Sequence, residues 1–232
     1  MKVCVLNFSG NVGKTTVAAH LIAPRLGAKL FSVESLNSDA AADGVELQRI
    51  KAKQYADLQS AILAIDNAVV DVGASNVETF LKLMGTFAGS HEDYDLFVIP
   101  VVKEKKQLAD SVNTLQTLCR LGVHPSKLRV VLNMVDPDDD IEADFAPVLV
   151  IAQDLDLQVP HAVMYRNELF ERLKGSGRNL ASVAADTTDY RVLIKQADAP
   201  EEKHRLIDRL AEQRLSVSCK QNMDQAFRAL VA

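Results

Sequence analysis

The amino-acid sequence predicts an α/β protein whose sheet is doubly wound and mainly parallel, with helices on both faces. Short apolar runs alternate with longer amphipathic stretches, the pattern of parallel strands joined by crossover helices. The apolar runs at residues 96–99 and 130–132 are continuous, as expected for strands that are covered on both faces. A length of 232 residues suits one such domain with a small appendage.

The predicted strands and helices alternate regularly through most of the chain. Strands are predicted at residues 2–7, 29–33, 68–72, 95–102, 128–135 and 159–164, and helices at residues 14–26, 56–65, 76–88, 105–121 and 141–155. Pro24 and Gly27 end the first helix, because proline cannot continue a helix and glycine readily adopts the positive φ of a helix terminus.

The strand pattern stops after about residue 190. Two closing helices are predicted, at residues 201–215 and 221–231, because apolar residues recur there at helical spacing. We therefore expect an α/β domain at residues 1–190 and a C-terminal helical extension at residues 191–232, packed on the same domain. The amphipathic pattern leaves a partner-binding or dimer-forming helix as the alternative.

Composition and charge argue against several classes of protein. The net charge is −5, which disfavours a chain that coats DNA by overall charge. The run at residues 103–106 is a candidate local contact with nucleic acid, and a solvated face is its alternative. No apolar run approaches the ~18 residues that span a bilayer. No secretory leader precedes the first strand, which predicts a cytoplasmic protein.

Three cysteines, Cys4, Cys119 and Cys219, lie far apart and form no C-x-x-C pair. They are expected to be reduced and mostly buried thiols, so a zinc or redox role is disfavoured. The histidines show no metal-ligand spacing. The aspartates at residues 136–140 are interpreted as a solvated loop that leads into a helix N-terminus.

A phosphate-binding loop is predicted directly after the first strand. The run at residues 8–16 reads Phe-Ser-Gly-Asn-Val-Gly-Lys-Thr-Thr and opens a helical pattern. Backbone N–H groups in such a turn wrap phosphates, and the helix N-terminus adds a positive field. The strict pattern G-x-x-x-x-G-K-[ST] requires glycine where Phe8 stands. An ordinary glycine turn with an exposed lysine is the alternative.

Each residue of the loop has an expected task. Lys14 would bridge the outer phosphates, the Thr15 hydroxyl would ligate magnesium, and Thr16 would touch an inner phosphate. Gly10 and Gly13 provide conformational freedom, and Asn11 is the non-glycine residue type most tolerant of left-handed geometry. The residues expected to hold the phosphates are Ser9, Gly10, Asn11, Val12, Gly13, Lys14, Thr15 and Thr16.

A second signal follows the predicted strand at residues 68–72. Asp71 lies at the end of this apolar run, where a carboxylate can orient a water bound to magnesium, so it is both a metal-site and a catalytic candidate. The N–H of Gly73 is expected to approach the γ-phosphate. A turn aspartate after a buried strand is the structural alternative.

Two weaker signals suggest how the nucleotide base is held. Asn133 ends a strand at the sheet edge where ligands bind, and its amide can read adenine. Pro160 and Val163 belong to a strand and polar turn that is expected to wrap the other side of the base.

Taken together, these residues resemble the ParA/MinD class of P-loop ATPases, and within it the StbB group of plasmid-stability proteins. The phosphate loop, Asp71-x-Gly73, Val-Ile-Pro-Val at residues 98–101, Leu-Asn at 132–133 and Val-Pro at 159–160 come in the family order. The resemblance implies binding of ATP and Mg²⁺. It also implies a role in plasmid stability, position or transfer, with a plasmid-encoded DNA-binding partner and a nucleotide-dependent homodimer.

Two positions depart from the family pattern. Ser9 replaces the signature lysine, which in this family reaches across a dimer to the partner's nucleotide. After the second strand the family has Asp-x-Asp, where Glu34 stands for the first acid and Leu36 for the second. Asp39 or Asp43 could substitute in positioning the attacking water. The sequence therefore predicts slow or partner-stimulated hydrolysis of ATP to ADP and phosphate.

Three other functions compete with this interpretation. A nucleotide-dependent switch with negligible turnover would also fit the missing lysine and acid. A P-loop kinase acting on a small molecule would need a substrate lid and basic acceptor-binding residues. A purely structural scaffold would leave the coupled phosphate-site signals unexplained.

Overall fold

The computed structural model describes residues 1–34, 47–157 and 162–232. Its core is a seven-stranded sheet with strand order β3-β2-β4-β1-β5-β6-β7, in which every neighbouring pair is parallel. The strands are β1 Lys2–Val5, β2 Lys29–Val33, β3 Leu47–Ile50, β4 Ala68–Val72, β5 Leu96–Val101, β6 Leu128–Val135 and β7 Ala162–Tyr165. The predicted fold class is confirmed.

The strand β3 is absent from the sequence prediction. It reads Leu-Gln-Arg-Ile and pairs with β2 at one edge of the sheet. A four-residue run that is half polar carries too little periodicity to identify a strand, so its place was decided by pairing with β2.

The helices occupy both faces of the sheet. The first, α1, consists of three consecutive segments, Lys14–Thr16, Val17–Ile22 and Ala23–Leu26, of which the middle one is a π-helical turn. The others are α2 Tyr55–Leu63, α3 Val77–Thr86, α4 Lys105–Arg120, α5 Ile141–Asp144, α6 Ala146–Asp154, α7 Leu169–Leu173, α8 Leu180–Ala184, α9 Tyr190–Gln196 and α10 Pro200–Val231.

Two helix predictions were wrong. The two closing helices form one helix of 32 residues, α10, because the intervening stretch contains no proline or glycine and buries Ser216 and Cys219 against the protein. The single helix predicted at residues 141–155 is interrupted at Phe145. Pro147 lacks the N–H that a continuous helix would need there.

The π-helical turn in α1 has a local cause. Pro24 has no N–H to give to the carbonyl of His20, its α-helical partner four residues earlier. The Arg25 guanidinium supplies the missing donor, because its Nη1 lies 2.9 Å from the carbonyl oxygens of both His20 and Leu21. Asp224 of α10 holds the same guanidinium, with Oδ1 2.6 Å from Nη2. The sequence analysis predicted a helix at residues 14–26 but did not identify this π-helical turn within it.

Alternate residues of β1, β2, β4, β5 and β6 enter two separate hydrophobic clusters, one on each face of the sheet. In β1, Val3 and Val5 contribute to one cluster and Cys4 to the other. The cluster that contains Val3 also includes α1 and the C-terminal half of α10, where Met223 and Leu230 are buried. The C-terminal helix therefore covers one face of the sheet. None of the described helices combines the length and apolar character that a bilayer-spanning segment needs.

Candidate functional site

Strands β2 to β4 lie on one side of β1 and strands β5 to β7 lie on the other. The order of the strands therefore reverses at β1, between β4 and β5. Ligands of doubly wound sheets bind outside the carboxyl ends of the strands at such a point. The phosphate loop follows β1 there. Because Val5 is paired with Asp71, the end of β4 lies directly beside this loop. Sheet register thus places the two strongest sequence signals together.

The loop backbone uses left-handed geometry at two positions. Gly13 has φ 81° and Asn11 has φ 59°, which agrees with the expected tolerance of these residue types. A β-carbon on Gly13 would lie 2.1 Å from Nδ2 of Asn133, so any other residue would have to displace that amide and also adopt a strained φ. Gly10 has neither constraint, since its φ is not positive and its β-carbon would meet no atom of the described ranges within 4 Å. The conformational freedom expected at Gly10 is therefore not used in this arrangement of the loop.

Lys14 lies folded into the loop. Its Nζ donates a 2.6 Å hydrogen bond to the Ser9 carbonyl, and the residue is only 8% exposed. Burial lowers the pKa of Lys14, while the carboxylates of Asp71 and Glu34 oppose that shift. The ammonium group is therefore held in a poorly hydrated position, where an anionic ligand would be a strong partner.

Thr15 and Asp71 form the contact expected of a magnesium site. Thr15 Oγ1 donates to Asp71 Oδ2 at 2.7 Å. The other carboxylate oxygen, Oδ1, is buried and has no hydrogen-bond partner among the residues that the structure describes. Burial raises the pKa of Asp71 to about 6, although the hydrogen bond from Thr15 and the charge of Lys14 pull the pKa down. A hydroxyl beside an incompletely satisfied carboxylate fits the oxygen ligands that Mg²⁺ prefers.

Asn133 touches the phosphate loop from β6. Its Nδ2 donates to the carbonyl of Val12 at 2.9 Å, which leaves its side-chain oxygen as the group that can accept from a base. The next residue, Met134, has φ 56° at an irregularity in the pairing of β6 with β7. A bulge of this kind re-aims side chains at the end of a strand.

The start of the loop is held by a polar network that the sequence analysis missed. Asn7 donates Nδ2 to the Pro100 carbonyl and to Ser111 Oγ, at 2.9 and 2.7 Å. Its Oδ1 accepts from the N–H of Ser9 at 2.8 Å. Thr114 Oγ1 accepts from the N–H of Phe8 at 3.2 Å. These side chains position the loop entry where the strict motif has glycine.

The missed network had a detectable signal. Asn7 is a polar residue at the end of an apolar run, and Ser111 and Thr114 are spaced three apart on α4. Both α4 residues are fully buried. Small hydroxyl residues at helical spacing on an otherwise apolar face indicate a polar contact, but only the sheet order identifies its partner.

The acidic candidates on the β2 side are only partly within the described residues. Glu34 follows β2, and its Cγ would lie 3.3 Å from a β-carbon on Gly73. Its charge also raises the pKa of Asp71, so the two carboxyl groups are electrostatic neighbours. Asp39 and Asp43 lie outside the described residues. The Gly73 N–H, expected to approach a phosphate, donates to the Val33 carbonyl at 3.0 Å.

The remaining candidates occupy varied positions. Ser9 is 5% exposed, so the position of the family's signature lysine is buried within this chain. Thr16 belongs to the first turn of α1. Val163 lies in β7, where its carbonyl accepts from Asn222 of α10 at 2.9 Å. Pro160 lies outside the described residues.

The basic run at residues 103–106 is not a uniform patch. Lys103 Nζ lies 2.5 Å from an Asp139 carboxylate oxygen and 3.4 Å from one of Asp136. Asp136 also contacts Arg166 Nε, at 2.8 Å. The cluster ties the ends of β5, β6 and β7 together, which leaves Lys105 and Lys106 as the exposed lysines of this run.

Solved structures with similar folds are known. A McdA variant in complex with ATP, from Cyanothece, superposes with a TM-score of 0.52 at 13% identity, and the match covers 97% of this chain and 96% of that one. MinD of Aquifex aeolicus gives 0.52 at 14% identity, covering 92% and 96%. The Pyrococcus furiosus cell-division ATPase MinD gives 0.51 at 14%, covering 93% and 98%.

At such low identity these likenesses establish the fold alone: the chain has the fold of the MinD-type P-loop ATPases. No protein-family model matches the sequence, and no curated protein matches it significantly.

Proposed function

We propose that the protein is a ParA-like ATPase that binds Mg²⁺-ATP and hydrolyses it slowly or when a partner stimulates it. One observation carries the proposal: Thr15 Oγ1 and Asp71 Oδ2 are 2.7 Å apart, and the second, buried carboxylate oxygen accepts no hydrogen bond from any described residue. The fold shared with a McdA–ATP complex and with MinD supports a nucleotide at this edge of the sheet.

The proposed chemistry is in-line attack of water on the γ-phosphate, without a covalent intermediate. Lys14 would leave the Ser9 carbonyl and donate to the β- and γ-phosphate oxygens, whose charge grows in the transition state. Backbone N–H groups from Gly10 to Thr16 would donate to the remaining oxygens. When bound beside Thr15 and Asp71, magnesium would supply charge neutralisation.

Positioning of the attacking water is assigned to Glu34. Among the described carboxyl groups, Glu34 stands for the first acid of the Asp-x-Asp pattern. It also lies next to Gly73, at the edge of the sheet where we propose that the phosphates bind. Asp39 remains a second candidate for this role.

A nucleotide switch with negligible turnover is the second candidate function. The observation that favours it is the buried Ser9, because a serine enclosed in its own chain cannot supply a charge to a partner's nucleotide. A charge provided in trans is worth roughly 10³–10⁵ in rate in other P-loop proteins. Under this alternative the protein would bind ATP as tightly as an active ATPase of this kind, but it would release no more phosphate than a control without protein.

The biological role that we propose is plasmid stability, with a plasmid-encoded DNA-binding partner. The support is the resemblance of the ordered motifs to the ParA/MinD class of ATPases, and within that class to the StbB group. Purified partner and its DNA site should together accelerate phosphate release. If neither raises the rate over that of the chain alone, the partner-stimulated form of the proposal fails.

Lys14→Ala is expected to abolish nucleotide-dependent stabilisation. A ligand at 100 times its Kd adds about 2.7 kcal/mol. That raises Tm by roughly 5–10 °C for a chain of this size. Lys14→Ala should lose this shift with Mg²⁺-ATP and with ADP, because the buried ammonium no longer faces the phosphates. Lys106→Ala, an exposed lysine on α4, is the matched control and should keep the full shift. Equal shifts in both variants would contradict nucleotide binding at this loop.

Glu34→Gln is expected to separate hydrolysis from binding. The amide keeps the size of the side chain but cannot act as a carboxylate toward water, so phosphate release should fall by about 10²-fold. The Tm shift with Mg²⁺-ATP should persist. Unchanged phosphate release would remove Glu34 from this role and direct attention to Asp39→Asn.

A further inference from the structure

A cavity of about 450 Å³ lies between α1, α8 and α10. Its described lining includes no residue of the phosphate loop. Much of the wall is apolar, with Ala19, Pro24, Leu180 and Ala184 among the lining residues. Small-molecule sites typically have volumes of ~300–1,000 Å³, mainly apolar walls and a few polar groups. The cavity has the size and character of such a site.

The charged residues of the lining, Arg25, Lys220 and Asp224, have more hydrogen-bond donors than they use with one another. Asp224 Oδ1 accepts from Arg25 Nε at 3.0 Å and from Nη2 at 2.6 Å, and Oδ2 accepts from Lys220 Nζ at 2.9 Å. An ammonium has three donors and a guanidinium has five. After these bonds and the two from Arg25 to backbone carbonyls, donors remain on both cations. Two cations face one carboxylate, so the group carries a net positive charge.

The two cationic side chains, Arg25 and Lys220, differ in their exposure to solvent. The Arg25 side chain is 17% exposed and makes four hydrogen bonds, two to Asp224 and two to backbone carbonyls, so it forms a fixed part of the wall. The Lys220 side chain is 58% exposed, so it can turn toward a ligand at the mouth of the cavity. An anionic head group would meet charge complementarity there while an apolar body filled the rest.

The cavity shares a wall with the element that begins at the phosphate loop. Ala19 and His20 lie on the π-helical turn, which starts directly after Thr16. Arg25 caps the carbonyls of this turn and is itself fixed by Asp224 of α10. π-Helical turns are uncommon and frequently occur at functional sites, since they are less stable than a regular helix. A ligand that changes this contact would act on the helix that carries Lys14 and Thr15.

We propose that this cavity binds a small amphipathic anion, an apolar body with one carboxylate head, and that its occupancy changes nucleotide affinity through α1. The binding of the anion is independent of the function proposed above. The effect on nucleotide affinity rests on that function.

Binding is tested with decanoate, decylammonium and decanol, three probes with the same tail and different heads, by calorimetric titration below their micelle concentrations. Decanoate should bind saturably at one site per chain and more tightly than the other two. Equal affinity for decanoate and decylammonium would overturn the assignment of an anion.

Variants localise the site. Ala184→Leu fills the cavity and should weaken decanoate binding about tenfold or more, whereas Ala185→Leu, one residue further along, should not. Lys220→Glu should weaken it by about tenfold as well, whereas Lys203→Glu, exposed elsewhere on α10, should not. If both members of either pair behave alike, decanoate does not bind in this cavity and the proposal fails.

The coupling is tested by titrating Mg²⁺-ATP with and without saturating decanoate. The Kd for ATP should change by about fivefold or more, and ATP should change the Kd for decanoate by the same factor. Ala184→Leu should remove the change. An identical ATP affinity in both titrations would overturn the coupling. Absence of any ATP binding would instead contradict the proposed function, and the decanoate titrations would still decide the cavity.

Discussion

Gly13→Ala should eliminate nucleotide binding and destabilise the protein by at least about 2 kcal/mol. Gly13 has φ 81°, which costs a non-glycine residue about 1–2 kcal/mol, and its β-carbon would lie 2.1 Å from Nδ2 of Asn133. Something must shift, and both the loop and the Asn133 contact belong to the proposed site. The expected measurement is a Tm lower by at least ~5 °C, with no rise on addition of Mg²⁺-ATP.

Gly10→Ala provides the matched control, because its φ is not positive and, in the part of the chain that the structure describes, no atom lies within 4 Å of its β-carbon position. It should keep its Tm within about 2 °C of the wild type. Adding Asn133→Ala to Gly13→Ala removes the colliding amide and should recover part of the lost stability, but not the cost of the positive φ. A Gly13→Ala protein that is as stable as Gly10→Ala would contradict this description of the loop.

Asp71→Asn should stabilise the ligand-free protein at neutral pH and yet destroy its response to magnesium. Burial raises the pKa of Asp71 from 3.8 to about 6, so the folded state disfavours the ionised carboxylate. Its contribution to stability is therefore fully present below pH 4 and is lost as pH rises through about 6. At about 1.36 kcal/mol per pKa unit, the loss is roughly 3 kcal/mol above pH 6.

The asparagine variant has no charge to bury, so its stability relative to wild type should increase between pH 4 and pH 7. The measurement is urea unfolding at several pH values without nucleotide. Asp186→Asn is a control of opposite sign, because hydrogen bonds from Thr188 and Tyr190 lower the pKa of Asp186. Its stability relative to wild type should decrease as pH rises over the acidic range.

With Mg²⁺-ATP bound at neutral pH, the wild type should be more stable than Asp71→Asn. Mg²⁺ favours the ionised carboxylate, so Mg²⁺-ATP should stabilise wild type more at pH 7.5 than at pH 5.5, and binding should release a proton near pH 6. Asp71→Asn should respond equally to ATP with and without magnesium. A variant that keeps the full magnesium dependence would exclude Asp71 from the metal site.

Much of the fold and the centre of the candidate site follow from local sequence patterns. Mainly apolar runs, continuous at residues 96–99 and 130–132, predicted six strands, because strands buried on both faces need apolar residues. The glycine and lysine around residue 13, and the carboxylate at the end of β4, are constrained by backbone geometry and charge. Such constraints act within a few residues and are readable along the chain.

The errors share a different cause. The edge strand β3 depends on pairing with β2, and the continuity of α10 depends on burial of its middle turns. Neither the partner nor the burial is encoded in a window of a few residues. Asn7 likewise finds Ser111 more than 100 residues away, since α4 packs behind the loop.

The sequence by itself determined that a phosphate-binding turn opens a helix in a parallel α/β sheet, with a carboxylate at the end of another strand. Only the tertiary structure showed that Thr15 donates a hydrogen bond to Asp71 and that the Asn133 amide lies against Gly13. It also showed that Arg25 is bound by Asp224, 199 residues further along the chain. The physical reason is that sheet order brings strand ends together regardless of their separation in sequence. Contacts between strand ends therefore cannot be predicted from the few residues around each one.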